Sequence, residues 1–280
     1  MCHPDSYVRA NSELLGIVRK LGNPTTKFQD YLKNPNKHSI FLNETDPGEV
    51  ATLIHKLDIN KSGDIYGINA RLIKDAGPSM ATNLSTIFNL SIKFGIFPQP
   101  LKNAKVIPIY TADSKMLPGN YRPISLLPII GKLLERIIFI RMSSFVKKYN
   151  ILFNRQYGFQ TGKSTEHAHI DIQNSILNSI EKKETPCCIF LDFAKAFNTV
   201  NHSILLQKLN HYGIRGNALS LIESYLKDRE QCVQVNNAIS DLETIKHGVP
   251  QGSILGPLLS SCTSTILLKV PTYLFFPICG

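Results

Sequence analysis

Residues 187–197, Cys-Cys-Ile-Phe-Leu-Asp-Phe-Ala-Lys-Ala-Phe, constrain this chain more than any other stretch, because a short apolar run breaks off at a carboxylate. Periodicity does not separate a buried strand from a buried helix over so few residues. Glu184-Thr185-Pro186 in front is a turn signal and the run is short, so the reading is a buried strand. A carboxylate at the end of a buried strand is costly unless something positive meets it, often a metal ion. The alternative is an Asp that caps the turn after it.

A second stretch decides between these: residues 248–259, Gly-Val-Pro-Gln-Gly-Ser-Ile-Leu-Gly-Pro-Leu-Leu. Together the two resemble the polymerase signature of reverse transcriptases from non-LTR retrotransposons of the jockey-like kind. The resemblance continues upstream through Asn120-Tyr121-Arg122-Pro123-Ile124-Ser125-Leu126-Leu127 and Gln156-Tyr157-Gly158-Phe159. It covers roughly residues 42–259, and two long motifs in the right order are far more specific than either alone.

The resemblance implies a chemistry and a set of roles. Template-directed polymerisation is phosphoryl transfer assisted by two Mg2+ ions, one activating the primer hydroxyl and one holding the triphosphate. Asp192 would bridge the ions and the backbone carbonyl of Phe193 would add a ligand. Arg122 would contact the triphosphate, for which a fixed fork of donors is suited. Phe197 would stack under the sugar and exclude a 2′-hydroxyl, although plain core packing also explains a Phe there. Gln251 would touch the incoming nucleotide, and Gly252 would let the backbone approach it. The implied partners are an RNA template, a DNA primer and deoxynucleoside triphosphates. The implied fold is α+β: the fingers and a partial palm of a right-hand polymerase, with an antiparallel palm sheet and helices, and no thumb. The expected division is a linker over 1–45, fingers over 46–185, partial palm over 186–259 and a tail over 260–280.

Four departures from the family pattern stand out. Thr111 occupies a position where a Lys is usual, with Lys115 as a possible substitute; Gln160 stands for Arg and Asn198 for Asp. The fourth is the absence of an Ala-Asp-Asp motif, since the last acidic residue is Glu243. One Asp does not hold two divalent ions and a triphosphate, so the expectation is a truncated, inactive chain. The rival is a non-catalytic basic remnant that binds nucleic acid. The tail from Ser260 is expected to be an out-of-frame translation of an intact palm.

The remaining sequence is consistent with this. Net charge is +10, which suits a polyanionic partner. Six cysteines without a Cys-x-x-Cys pair read as free thiols in a reducing compartment. No signal core or spanning segment is apparent, so an intracellular protein is expected. Residues 158–164, Gly-Phe-Gln-Thr-Gly-Lys-Ser, mimic a phosphate-binding loop but place three residues between the glycines where four are needed. Helices are expected from Asp46-Pro47; over 79–94, with Leu84, Ile87, Phe88 and Ile92 on one face; over 129–148, where Lys132, Arg136, Arg141, Lys147 and Lys148 read as a solvated face or as a track for template; from Ser164, with Ala168, Ile172, Ile176 and Ile180 apolar; from Ser203; and over 218–226. A strand is expected over 104–109 and a hairpin over 231–245 about Asn236-Asn237.

Overall fold

The computed structural model describes residues 34–186 and 196–265, together with Gln29, Leu32 and Cys188. Asp192 and Phe193, most of residues 1–33 and residues 266–280 lie outside the described residues.

The chain begins its regular structure where the sequence placed a cap. Asp46 accepts a hydrogen bond from the Glu49 N–H and Pro47 opens helix α1 (Pro47–His55), a pairing that satisfies an orphan donor where Pro has none to offer. A short helix α2 (Ala70–Asp75) follows, then α3 (Gly77–Phe94), which ends at Gly95 with a φ of 65°. Strands β1 (Ala104–Tyr110) and β2 (Tyr121–Leu126) form a hairpin. Next come α4 (Ile129–Lys148), α5 (Thr165–Glu181), α6 (His202–His211) and α7 (Asn217–Leu226). Strands β3 (Arg229–Val235), β4 (Ala238–Ile239) and β5 (Glu243–Ile245) lead into α8 (Gly256–Ser264).

The fold is mixed α+β around a small five-stranded sheet in the order β2-β1-β3-β4, with β5 also paired to β3. The sheet is mixed rather than antiparallel. β1 runs antiparallel to β2 but parallel to β3, with Val106 opposite Val233. A parallel pair needs a crossover rather than a tight turn, and α4 to α7 supply it. The sheet therefore spans the expected boundary at 185/186: two strands precede it and three follow. Pro108 faces Pro123 in the hairpin, while β3 stops pairing with β1 at Val106. Neither proline is then asked for an N–H it lacks.

The core sits between α3, α4, α6 and α7. Leu133, Leu134, Ile137, Ile138 and Phe145 of α4 are buried as their spacing predicts, joined by Met142 and Val146. Leu84, Phe88 and Ile92 of α3 are buried too, whereas Ile87, expected on that face, is 44% exposed. Phe97 and Tyr225 meet edge to face with ring centres 5.1 Å apart.

Two expectations need correction. On α5, Ala168 is buried but Ile180, read as part of the same apolar face, is 56% exposed. No described helix or strand packs closely along α5 to cover that face. On α4, Arg141 belongs neither to a solvated face nor to a template track. Its guanidinium holds Glu49 at 2.7 Å and donates to the Asn43 and Glu44 carbonyls, so it clamps α1 and the segment before it onto α4.

α8 runs through Ser264, and residues 260–265 are packed into the fold. Cys262 and Thr265 are fully buried. The Thr265 hydroxyl donates to Gln156 Oε1 at 2.9 Å, and Lys208 donates to the Thr263 carbonyl at 2.6 Å. Among the described residues Cys188, Cys232 and Cys262 are free thiols, and no helix is long and apolar enough to cross a membrane.

Candidate nucleotide site

The loop 248–255 is fixed from three sides, and the fixing draws together residues far apart in sequence. At its start, the Val249 N–H donates to the Phe197 carbonyl and the Gly248 N–H to the Val200 carbonyl, both at 2.8 Å. His202 Nε2 lies 2.7 Å from the Gly248 carbonyl. Gly248 has a φ of 86°, and a Cβ there would come within 2.8 Å of Asn198. Only glycine fits that approach. In the middle, the Ser125 N–H of β2 donates to the Gln251 carbonyl at 2.7 Å. The next residue, Gly252, has a φ of 115°, and a Cβ there would lie 2.7 Å from the Ser125 carbonyl.

The third hold comes from Glu135, on the buried side of α4. Its Oε2 accepts from the Ile254 N–H at 2.7 Å and the Leu255 N–H at 3.1 Å. These are orphan donors at the start of α8, which has no side-chain cap of its own at Leu255. Burial pushes the Glu135 carboxyl up, and the Arg229 guanidinium and the two N–H groups pull it down. Arg229 is itself buried; it donates from Nη1 to the Tyr225 carbonyl at 3.0 Å and lies over the Tyr225 ring. Its Nε and Nη2 make no hydrogen bond among the described residues, and its charge acts on Glu135 from beyond direct ion-pair contact.

The sequence-derived site residues divide accordingly. Gln251 is half-buried and Gly252 exposed, both against β2. Arg122 lies on that same edge strand, exposed, its backbone paired with Ile109 and its guanidinium without a hydrogen bond or ion pair among the described residues. Phe197 is half-buried, and its carbonyl is part of the loop's anchorage. Asp192 and Phe193 lie outside the described residues. Thr111 does not stand in for a phosphate-facing cation: its hydroxyl donates to the Asn120 carbonyl at 2.7 Å and closes the β1–β2 loop. Lys115 lies over the Tyr110 ring at 5.5 Å.

The Gly158–Ser164 stretch does not present a phosphate cradle. Lys163 donates to the carbonyls of Asn154 and Gln156, so its ammonium holds its own loop. Ser164 and His167 cap the start of α5 reciprocally, which occupies the donors an anion would need.

Sequence reading missed Glu135, Arg229 and Asp64. Asp64 is buried; it accepts from the Tyr66 and Ile68 N–H groups with one oxygen and from Ile129 with the other. It thereby ties the 60–68 loop to the start of α4. A signal for Glu135 was present: it lies between Leu134 and Ile138, on the apolar face of α4.

Residues 107–271 match a family model described as reverse transcriptase (RNA-dependent DNA polymerase). The chain is 32% identical over 239 residues to the probable RNA-directed DNA polymerase from transposon BS of Drosophila melanogaster, over 83% of this chain and 26% of that protein. It is also 32% identical over 234 residues to the RNA-directed DNA polymerase from mobile element jockey of the same species, over 83% of this chain and 25% of that protein. The chain thus spans about a quarter of the length of the curated relatives it matches. A solved structure titled "Partial Cas6-RT-Cas1--Cas2 complex" aligns over 77% of this chain and 31% of that one, at 18% identity and a TM-score of 0.35. A likeness that loose assigns nothing further. The chain belongs to the reverse transcriptase (RNA-dependent DNA polymerase) family, as the reverse transcriptase domain of a jockey-like non-LTR retrotransposon.

Proposed function

We propose that this chain forms the nucleotide-binding part of an RNA-directed DNA polymerase, with an RNA template, a DNA primer and deoxynucleoside triphosphates as its ligands. One observation carries the reading: β2 with Arg122, the Gln251-Gly252 bend and the Phe197 turn are bonded to a single loop, 248–255. In this arrangement the unpaired Arg122 fork takes phosphate oxygens. Gly252, exposed and without a side chain, leaves room for the nucleotide against the backbone, and Phe197 lies under the sugar. The net charge of +10 supports a polyanionic partner.

Magnesium is the family's cofactor, and when bound it supplies charge stabilisation at the transferred phosphate. The described residues contain no group of three His, Cys, Asp or Glu that could hold an ion. In the 280 residues no carboxylate follows Glu243. These donors do not make a two-ion site. The proposal for the chain taken alone is therefore binding without extension.

The test is a primed RNA template offered with deoxynucleotides and magnesium or manganese. The expected result is affinity that falls steeply with salt and no product. Extension above background that disappears in Asp192→Ala would overturn the inactivity. Absence of any salt-dependent affinity would overturn the nucleic-acid reading itself.

A further inference from the structure

Phe159 has no assigned role, yet its geometry is unusual. Its φ is 56°, in the left-handed region that bulky residues avoid. Its side chain is not driven there by burial, since the residue is 51% exposed. Instead, its ring centre lies 5.8 Å from that of Phe197, with the planes at 79°, an edge-to-face contact within the range that aromatic pairs prefer.

The backbone under Phe159 is tied down on the N-terminal side. Lys163 crosses the loop to the Asn154 and Gln156 carbonyls. Gln156 is buried and takes the Thr265 hydroxyl on its own amide oxygen. The loop is thus anchored at the end of α8, the helix that the 248–255 loop opens. On the other side, the Phe197 backbone is fixed through its carbonyl to Val249. Its ring still turns about its own side-chain torsions, and among the described residues Phe159 is the aromatic neighbour that limits that turn.

We infer that Phe159 is a positioning residue for sugar selection: its edge holds the Phe197 ring in the orientation that distinguishes a deoxyribose from a ribose. This rests on the reading of Phe197 as the sugar-facing ring. The mismatch between strain and exposure is what separates it from plain packing. A ring that only filled core space would be buried, whereas this one is held at the surface by a left-handed residue, edge-on to Phe197.

The experiment uses the full 280-residue chain bound to an oligo(dT)-primed poly(rA) template with magnesium present, and compares its affinity for dTTP and UTP. Phe159→Gly removes the ring while relieving the left-handed backbone, so the loop keeps its path. Phe159→Tyr keeps the ring, and Phe197→Ala is the reference. The unmodified chain should prefer dTTP. Phe159→Gly should reduce that preference by about two- to twelve-fold, the range that one aromatic ring pair supports, and Phe159→Tyr should restore it. Preference lost in Phe197→Ala but kept in Phe159→Gly overturns the inference and leaves the Phe197 reading standing. Preference kept in Phe197→Ala, or no nucleotide bound by the unmodified chain, overturns the Phe197 reading and the inference with it.

Discussion

Glu135→Ala removes a buried carboxylate from α4 and with it the acceptor for the Ile254 and Leu255 N–H groups. It also leaves Arg229 buried with a single hydrogen bond, to the Tyr225 carbonyl. Leaving the two N–H donors inside the fold without an acceptor costs about 1–3 kcal/mol each. That is a large part of a typical total of about 5–15 kcal/mol. With a urea m-value of about 3 kcal/mol/M, a loss near 4 kcal/mol moves the unfolding midpoint down by roughly 1.3 M. Circular dichroism through a urea titration reads this directly. Glu135→Gln, which keeps an acceptor oxygen for both N–H groups, should recover most of the loss.

The same residue fixes a pH dependence. Burial raises its carboxyl above the ordinary value of 4.5. A raised folded value means that the group's contribution is fully present below 4.5 and is lost as pH rises through the raised value. Glu135→Gln keeps an acceptor oxygen for the two N–H groups and removes the titration, so its stability should be flatter across that window than the parent's. A Glu135→Ala midpoint within 0.2 M of the parent, read as about 0.6 kcal/mol, would refute the clamp. A Glu135→Gln variant no more stable than Glu135→Ala would refute the part played by the acceptor oxygen.

Gly252→Ala should cost about 1–3 kcal/mol, because it forces an L side chain into a left-handed backbone and against the Ser125 carbonyl. Gly119→Ala, with nothing near its added Cβ, should leave the melting temperature unchanged, and equal effects at the two sites would contradict the close approach. Glu49 is held below its ordinary value of 4.5 chiefly by its hydrogen bond to Arg141, so its contribution is present above 4.5 and lost as pH falls through the lowered value. Glu49→Gln should therefore destabilise the chain by about 1 kcal/mol at neutral pH and remove that acid-side loss, with thermal melts from pH 3 to 7 as the check.

Much of the helical frame was legible because its signals are local. Asp46-Pro47 and Ser164 are caps whose partners lie three residues away, and the α4 stripe repeats within one helix. β2 was harder to read. Its Pro123 argues against a central strand, and the sequence does not reveal that this strand sits at the sheet's edge. The mixed sheet was hidden for a related reason, since the parallel pairing of β1 with β3 is settled by where the intervening helices pack. Motif resemblance singles out the 248–255 loop, Arg122 and Phe197 as candidates, but it is silent about what holds them. Those holds are contacts of Ser125, Glu135 and Phe197 with residues far along the chain. Glu135 on an apolar helix face signalled a buried charge, yet nothing in the sequence named the Ile254 and Leu255 N–H groups as its partners.

The holds also separate two halves of the proposed chemistry. The Gln251-Gly252 bend is set by a β2 N–H, the Phe197 carbonyl and Glu135, and none of these belongs to the Asp192 motif's carboxylate or to an Ala-Asp-Asp hairpin. Geometry on the nucleotide side therefore does not depend on the metal-binding carboxylates being complete. Binding of template, primer and nucleotide is then compatible with a chain that extends nothing, and affinity alone is no measure of polymerisation. Only the extension assay, with Asp192→Ala beside it, reports on the ionic half; the Phe159 and Glu135 variants report on the binding half, because each alters a hold on the loop or its aromatic neighbour while leaving Asp192 in place.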